Sequence, residues 1–256
     1  MISSDMISII GPAFVAGLLI TLIHAPLGIE VLKRGIIFID LAVAQIAGLG
    51  FVATNIYLYE SSTWISQIIA LSCAILAGLF FRIIEKKIPK QQEAIIGVSF
   101  VLAASLAILI LADHPTGGEE IRHLLSGNML FVTWQDVLYH LPIYILIFLL
   151  WFSPILRRGI SFYLLFALAI TSSVQLVGVY VVFASLILPA LTAVNEKNPY
   201  KIAWLCGIIS VIAGIIFSVI FDAPAGPILV ISYVVITILI LIIKNMKNIS
   251  KIKPYS

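Results

Sequence analysis

Two residues of the apolar run GIIFIDLAVAQIAGLGFVATNIY, Asp40 and Gln45, are of types that coordinate cations, and they stand where polar groups are expensive. A carboxylate at the centre of a membrane-spanning helix costs about 2.5–3.5 kcal/mol on insertion scales, so it ordinarily faces a pathway or a partner. Asp40 and Gln45 are separated by five positions, about 140° around a helix of 3.6 residues per turn, and therefore occupy different faces. Asp40 shares its face with Ala44 and Ala47, Gln45 with Gly48 and Leu49, and the small residues suit close helix packing. Two readings of Asp40 stay open at this level: an ion pair with Lys33 or Arg34, or the lining of a cation pathway.

A second polar concentration is DHPTGGEEIRHLLSGN (113–128), which holds Asp113, His114, Glu119, Glu120 and His123. Imidazole with carboxylate suits zinc, manganese or iron. Glu119 and Glu120 each lie about one helical turn before His123, a spacing that could pair them on a cation. A solvated loop contacting a protein partner accounts for the same residues. His24, beside Pro26, and His140, before Pro142, are expected to satisfy a local carbonyl, with His24 kept as a further ligand that could complete a site with Asp40.

The stretch VQLVGVYVVFASLILPALTA (174–193) ends in Pro189 and a small-residue shoulder, followed by Asn195-Glu196-Lys197-Asn198-Pro199. A helix ending before a loop would produce this pattern, since Pro commonly follows helix C-termini. So would a helical hairpin presented at the membrane face to a soluble partner. In the second case the contacts fall on Leu188, Pro189, Ala190, Leu191, Thr192, Ala193 and Glu196.

Chemistry that breaks bonds has no residue set here. The chain contains no GxxxxGK[ST] to cradle ATP phosphates, no HExxH, no GxSxG and no glycine-rich dinucleotide loop. It is therefore expected not to be an enzyme and to hold no permanently bound cofactor.

The elements that must position these residues follow from composition. Hydrophobic residues make up 62% of the chain and charged residues 11%, which excludes an ordinary soluble domain and points to an all-α polytopic membrane protein. The net charge of +3 is confined to clusters between apolar runs and speaks for topology, not nucleic-acid binding. Cys73 and Cys206 lie inside apolar runs and read as packing residues. The first run, lacking a positively charged lead, is expected to remain as a mature span.

Runs of spanning length, about 20 residues, lie at roughly 7–29, 36–59, 63–84, 94–112, 137–152, 160–190, 201–221 and 225–243, giving about 8 transmembrane helices. Residues 1–256 form one transmembrane domain, with 244–256 a short basic cytoplasmic tail. Cations at 33–34, 82–90, 157–158, 197–201 and 244–253 mark the cytoplasmic side and put the amino terminus outside. That alternation fails once, because both ends of the 160–190 run are basic. Two short passes restore it, broken at Thr171-Ser172-Ser173 or at Gly178, a broken or re-entrant segment of the kind transporters use.

Four segments, in order over about residues 12–243, resemble the permease subunits of bacterial zinc, manganese and iron(II) ABC importers. They are VLKRGIIFIDLAVAQIAGLG (31–50), EAIIGVSFVLAASLAILIL (93–111), RHLLSGNMLFVTWQDV (122–137) and GVYVVFASLILPALTA (178–193). The resemblance implies a dimer of permease chains in the bacterial inner membrane, zinc being the first expectation for the cargo, then manganese or iron. It also implies a separate cytoplasmic ATPase that alone handles ATP, an extracytoplasmic metal-binding protein, and a coupling segment over Leu188–Asn198. Many members carry His four residues after the pathway Asp; Ala44 stands there in this chain, with Gln45 next. An ATP-independent cation channel or carrier, and an ABC permease for an iron chelate, are the alternatives.

Overall fold

Apolar runs become helices because hydrocarbon offers no partner for a free backbone N–H or C=O. The computed structural model describes residues 4–58, 63–112, 114, 117–119, 125, 129–153 and 159–252. Its helices are α1 (Ser4–Arg34), α2 (Ile39–Tyr57), α3 (Thr63–Lys87), α4 (Gln92–Leu111), α5 (Trp134–Trp151), α6 (Ile160–Val177), α7 (Val179–Thr192), α8 (Pro199–Ile220) and α9 (Ala225–Ile252). All of these but α7 are long and apolar enough to cross a membrane, and no strand occurs among the described residues. This is an all-α, multi-pass membrane protein. Helix α9 runs on past Lys244 as far as Ile252.

The 160–190 run divides at Gly178, whose φ of 79° and ψ of 165° belong to a region essentially reserved for glycine. Gly178 closes α6 by donating to the Val174 carbonyl at 2.9 Å and opens α7 by accepting from Val182 at 3.2 Å. Thr171-Ser172-Ser173, the other expected break point, stays helical within α6. At 1.5 Å per residue α7 measures about 21 Å, well short of a ~30 Å hydrocarbon core.

α6 and α7 form a hairpin whose two outer ends reach the same end of the bundle, where α1 finishes. At the start of α6 the Phe162 ring lies 4.0 Å below the Arg34 guanidinium. At the end of α7, Ala190 and Ala193 pack with Ala25 and Ile29 of α1 and Ala203 of α8. The approach of α1 to α7 is close enough that a Cβ at Gly28 would run into the Leu186 carbonyl oxygen. α1, α2 and α6 are the most deeply buried of the spanning helices, and α4, α5 and α9 present much of their apolar surface outward, as lipid-facing helices do.

Charges gather at the end where α1 and α3 finish. Arg34 meets Glu30 at 3.0 Å and Glu85 at 3.4 Å, and Arg82 also pairs with Glu85. Lys244 pairs with Glu196 at 2.7 Å and donates to the Thr192 carbonyl, fixing the end of α7 to α9. The opposite end carries the start of α5, set by a capping box. There Thr133 accepts from the Asp136 amide at 3.2 Å, while Asp136 Oδ2 accepts from the Thr133 amide at 2.9 Å.

Candidate metal site and partner-docking segment

Asp40 lies in the first turn of α2, just after the N-cap Phe38. A helix start leaves N–H groups without intrahelical acceptors and carries the positive end of the macrodipole, so it accommodates a carboxylate. Asp40 is fully buried, at 0% exposure, and neither of its oxygens has a hydrogen-bond partner among the described residues. Neither Lys33 nor Arg34 hydrogen-bonds to it, so the structure does not make the ion pair that the sequence left open as one reading.

A second carboxylate leans over the same helix start. Glu93, in the first turn of α4 (Gln92–Leu111), accepts from the Phe38 amide at 3.2 Å through Oε1, whereas its buried Oε2 has no partner. Two acids from two helices thus leave three buried oxygens unmatched. Such groups cost free energy unless a cation or a proton meets them. The chemistry available is cation holding by hard oxygen donors, since no nucleophile–base pair accompanies them. In the sequence Glu93 stands out only as the first residue of the segment EAIIGVSFVLAASLAILIL. Its place beside Asp40 depends on α4 packing against α2, which spacing does not reveal.

Gln45 is buried further along α2 and lines a different feature, an open groove of about 770 Å³ bounded by α2, α4, α7 and α9. The groove is otherwise almost wholly apolar, walled by Phe100, Phe183, Leu188 and Val230 among others. Ala44, where an imidazole would stand one turn after Asp40, is completely buried.

His24 is not gathered with Asp40. It is fully buried, with Nδ1 2.7 Å from Ser185 Oγ and Nε2 3.0 Å from Ser173 Oγ. Both ring nitrogens are thereby engaged, and Ser173 Oγ is also 2.7 Å from the Tyr144 hydroxyl. His140 likewise meets a serine on another helix, with Nδ1 2.7 Å from Ser172 Oγ. The expectation that these histidines satisfy local carbonyls is therefore corrected: their partners are hydroxyls on α6 and α7. Serines in an apolar helix carry no spacing signal of this role, so the sequence passed over Ser172, Ser173 and Ser185.

Among the described residues no three of His, Cys, Asp and Glu come together as a metal cluster. In the 113–128 segment, His114 is half-buried and Glu119 exposed, while Glu120 and His123 lie outside the described residues. The segment ending α7 is more enclosed than its sequence suggests. Pro189, Ala190, Thr192 and Ala193 are buried and Leu188 is half-buried, whereas Leu191 and Val194 are exposed at 39% and 52%. The helix stops at Thr192, and the turn that follows, with Asn195 at φ 62°, exposes Asn195, Lys197 and Asn198 beside the half-buried Glu196.

The model of the ABC 3 transport family matches residues 6–158 and 153–244 of the chain. The chain is 28% identical to the manganese transport system membrane protein MntC of Halalkalibacterium halodurans, the alignment covering 84% of this chain and 80% of that protein. It is 26% identical to the high-affinity zinc uptake system membrane protein ZnuB of Haemophilus influenzae, over 88% of this chain and 94% of the relative. Among solved structures its fold is similar to that of PsaBC from Streptococcus pneumoniae in complex with Fab. That match has a TM-score of 0.70 and 18% identity, and covers 91% of this chain and 90% of the other.

Proposed function

Because the chain belongs to the ABC 3 transport family, we propose that it is the membrane-spanning permease subunit of an ABC importer for a divalent metal cation. The relatives named for manganese and zinc transport support the cargo class, zinc or manganese, with iron a further member of the same set. The observation that carries the reading is Asp40: a wholly buried carboxylate with no hydrogen-bond partner among the described residues, near Glu93, supplies oxygen donors for a cation in passage. With no imidazole at position 44, such a site holds its cation loosely, which suits a conduit that must also release.

Transport proceeds by alternating access between two faces of the bundle, driven by ATP binding and hydrolysis in a separate ATPase. The chain works in the bacterial inner membrane as a dimer, with its amino terminus outside and its carboxy terminus in the cytoplasm. The charged end of the bundle, with Arg34, Arg82 and Lys244, then faces the cytoplasm, as the positive-inside bias requires. An ATPase docks on the exposed part of the turn after α7, at Leu191, Val194 and Asn195–Asn198, and an extracytoplasmic metal-binding protein delivers cargo to the other face.

Purification of the tagged chain in mild detergent, followed by mass spectrometry of its companions, tests this. Co-purification of a P-loop ATPase, together with metal-specific uptake lost in Asp40→Ala, is the expected result. Metal uptake by the chain alone, with no ATPase bound or required, would replace this reading with a carrier.

A further inference from the structure

At the end of the bundle remote from the charged cluster lies a second cavity, of about 400 Å³, whose lining is markedly more polar than the Gln45 groove. Asp136 and His140 of α5 line it, as do Thr171 and Gln175 of α6 and Gln67 of α3. Asp136 and His140 are four residues apart, as are Thr171 and Gln175, so each helix offers one stripe of donors to the same space.

Three details of bonding point to a ligand there. Asp136 uses Oδ2 for the capping box with Thr133, leaving Oδ1 with no hydrogen bond among the described residues. His140 is held through Nδ1 by Ser172, and Nε2 likewise has no hydrogen-bond partner. In the tautomer that donates Nδ1–H to Ser172, Nε2 carries the lone pair, which is how metal-binding imidazoles are commonly oriented. Thr171 is 94% buried, being 6% exposed, yet its Oγ1 has no hydrogen-bond partner among the described residues. A buried hydroxyl without a partner on the wall of a polar cavity is a group awaiting an acceptor or a ligand.

We propose that this cavity is a receiving site for a divalent cation, with His140 Nε2 and Asp136 Oδ1 as its principal ligands and Thr171, Gln175 and Gln67 completing it directly or through water. Mixed imidazole and oxygen donors suit zinc or manganese. Two strong ligands make a weak site, appropriate to a cation handed over and passed on. The site is separate from Asp40, which stands in the first turn of α2, whereas the residues of that helix that line the cavity, Ala47, Gly48 and Phe51, follow it by seven or more positions, about two turns or more along the axis. Its position on the outer face rests on the orientation given under the proposed function; the site itself does not.

Manganese(II) titrated into the full chain in lipid nanodiscs, without ATPase or ATP, tests the proposal by electron paramagnetic resonance. The expected result is bound metal with hyperfine coupling to an imidazole nitrogen, in wild type and in Asp40→Ala alike. His140→Gln should abolish the coupling and weaken binding by roughly tenfold or more. Thr171→Val, nearly isosteric, should weaken binding with the coupling retained, which guards against a result caused by misfolding. Nitrogen coupling that survives His140→Gln, coupling lost in Asp40→Ala, or wild type binding no manganese through nitrogen would each overturn the site. Any of these leaves the permease reading standing, because neither ATPase nor uptake enters the measurement.

Discussion

Trp204 of α8 donates its indole N–H to the Leu22 carbonyl of α1 at 3.1 Å. Leu22 lies four residues before Pro26, inside α1, and a proline has no amide with which to complete that bond. The indole from α8 therefore takes the place of the missing backbone donor in an apolar interior, where an unmatched carbonyl is costly.

Removing that donor should be expensive only while the proline is present. Trp204→Phe keeps the ring but loses the N–H, and should destabilise the protein by about 1–3 kcal/mol. In a Pro26→Ala background, where residue 26 can donate for itself, the same substitution should cost markedly less. Thermal unfolding of the four proteins of this double-mutant cycle measures the coupling; equal costs in both backgrounds would refute the substitution of indole for amide.

Glycine positions separate close helix contact from open surface. Gly28→Ala should destabilise severely, by about 1–3 kcal/mol or more, because the new Cβ meets the Leu186 backbone carbonyl, which cannot rotate away. Gly97→Ala, in α4 with open space around it, should be neutral or stabilising by about 0.5–1 kcal/mol. Melting temperatures in one detergent compare the two directly.

Asp40 should show opposite effects on stability and transport. Asp40→Asn replaces a buried carboxyl group that has no hydrogen-bond partner among the described residues, so the variant should melt at the wild-type temperature or above it. Metal uptake by the same variant should fall to background. Normal uptake would remove Asp40 from the pathway, and a large loss of stability would show that the carboxylate has a structural partner.

Surface and interior should respond differently at the end of α7. Leu191→Glu with Val194→Asp alters exposed residues and should lower ATPase co-purification while the permease keeps its melting temperature. Pro189→Glu with Ala190→Glu places charges among Ala25, Ile29 and Ala203 and should reduce the amount of folded protein itself. If the first pair leaves ATPase binding intact, the docking surface lies elsewhere.

His24 should behave as a tie between helices. His24→Ala leaves Ser173 and Ser185 without their shared partner and should cost about 1–3 kcal/mol. Any loss of uptake should track the loss of folded protein, as measured by uptake normalised to the amount of correctly folded chain. A selective loss of uptake in fully folded protein would instead make His24 a ligand.

The membrane class, the approximate spans and the need for a break within the 160–190 run could be read from the residues in order, because these are properties of local composition. Apolar length decides whether a segment can cross, and cations at both ends of that run favoured two passes over one, but composition left the break open between Thr171-Ser172-Ser173 and Gly178, and the fold puts it at Gly178. Tertiary structure alone decided what faces what. Whether Asp40 meets Arg34 or Glu93, whether His24 meets a metal or two serines, and whether Pro189 is exposed or buried all depend on which helices pack together and at what rotation. Those contacts join residues dozens to more than 180 positions apart, and helical periodicity, which reports only a residue's place on its own helix, carries no information about the neighbour it will meet.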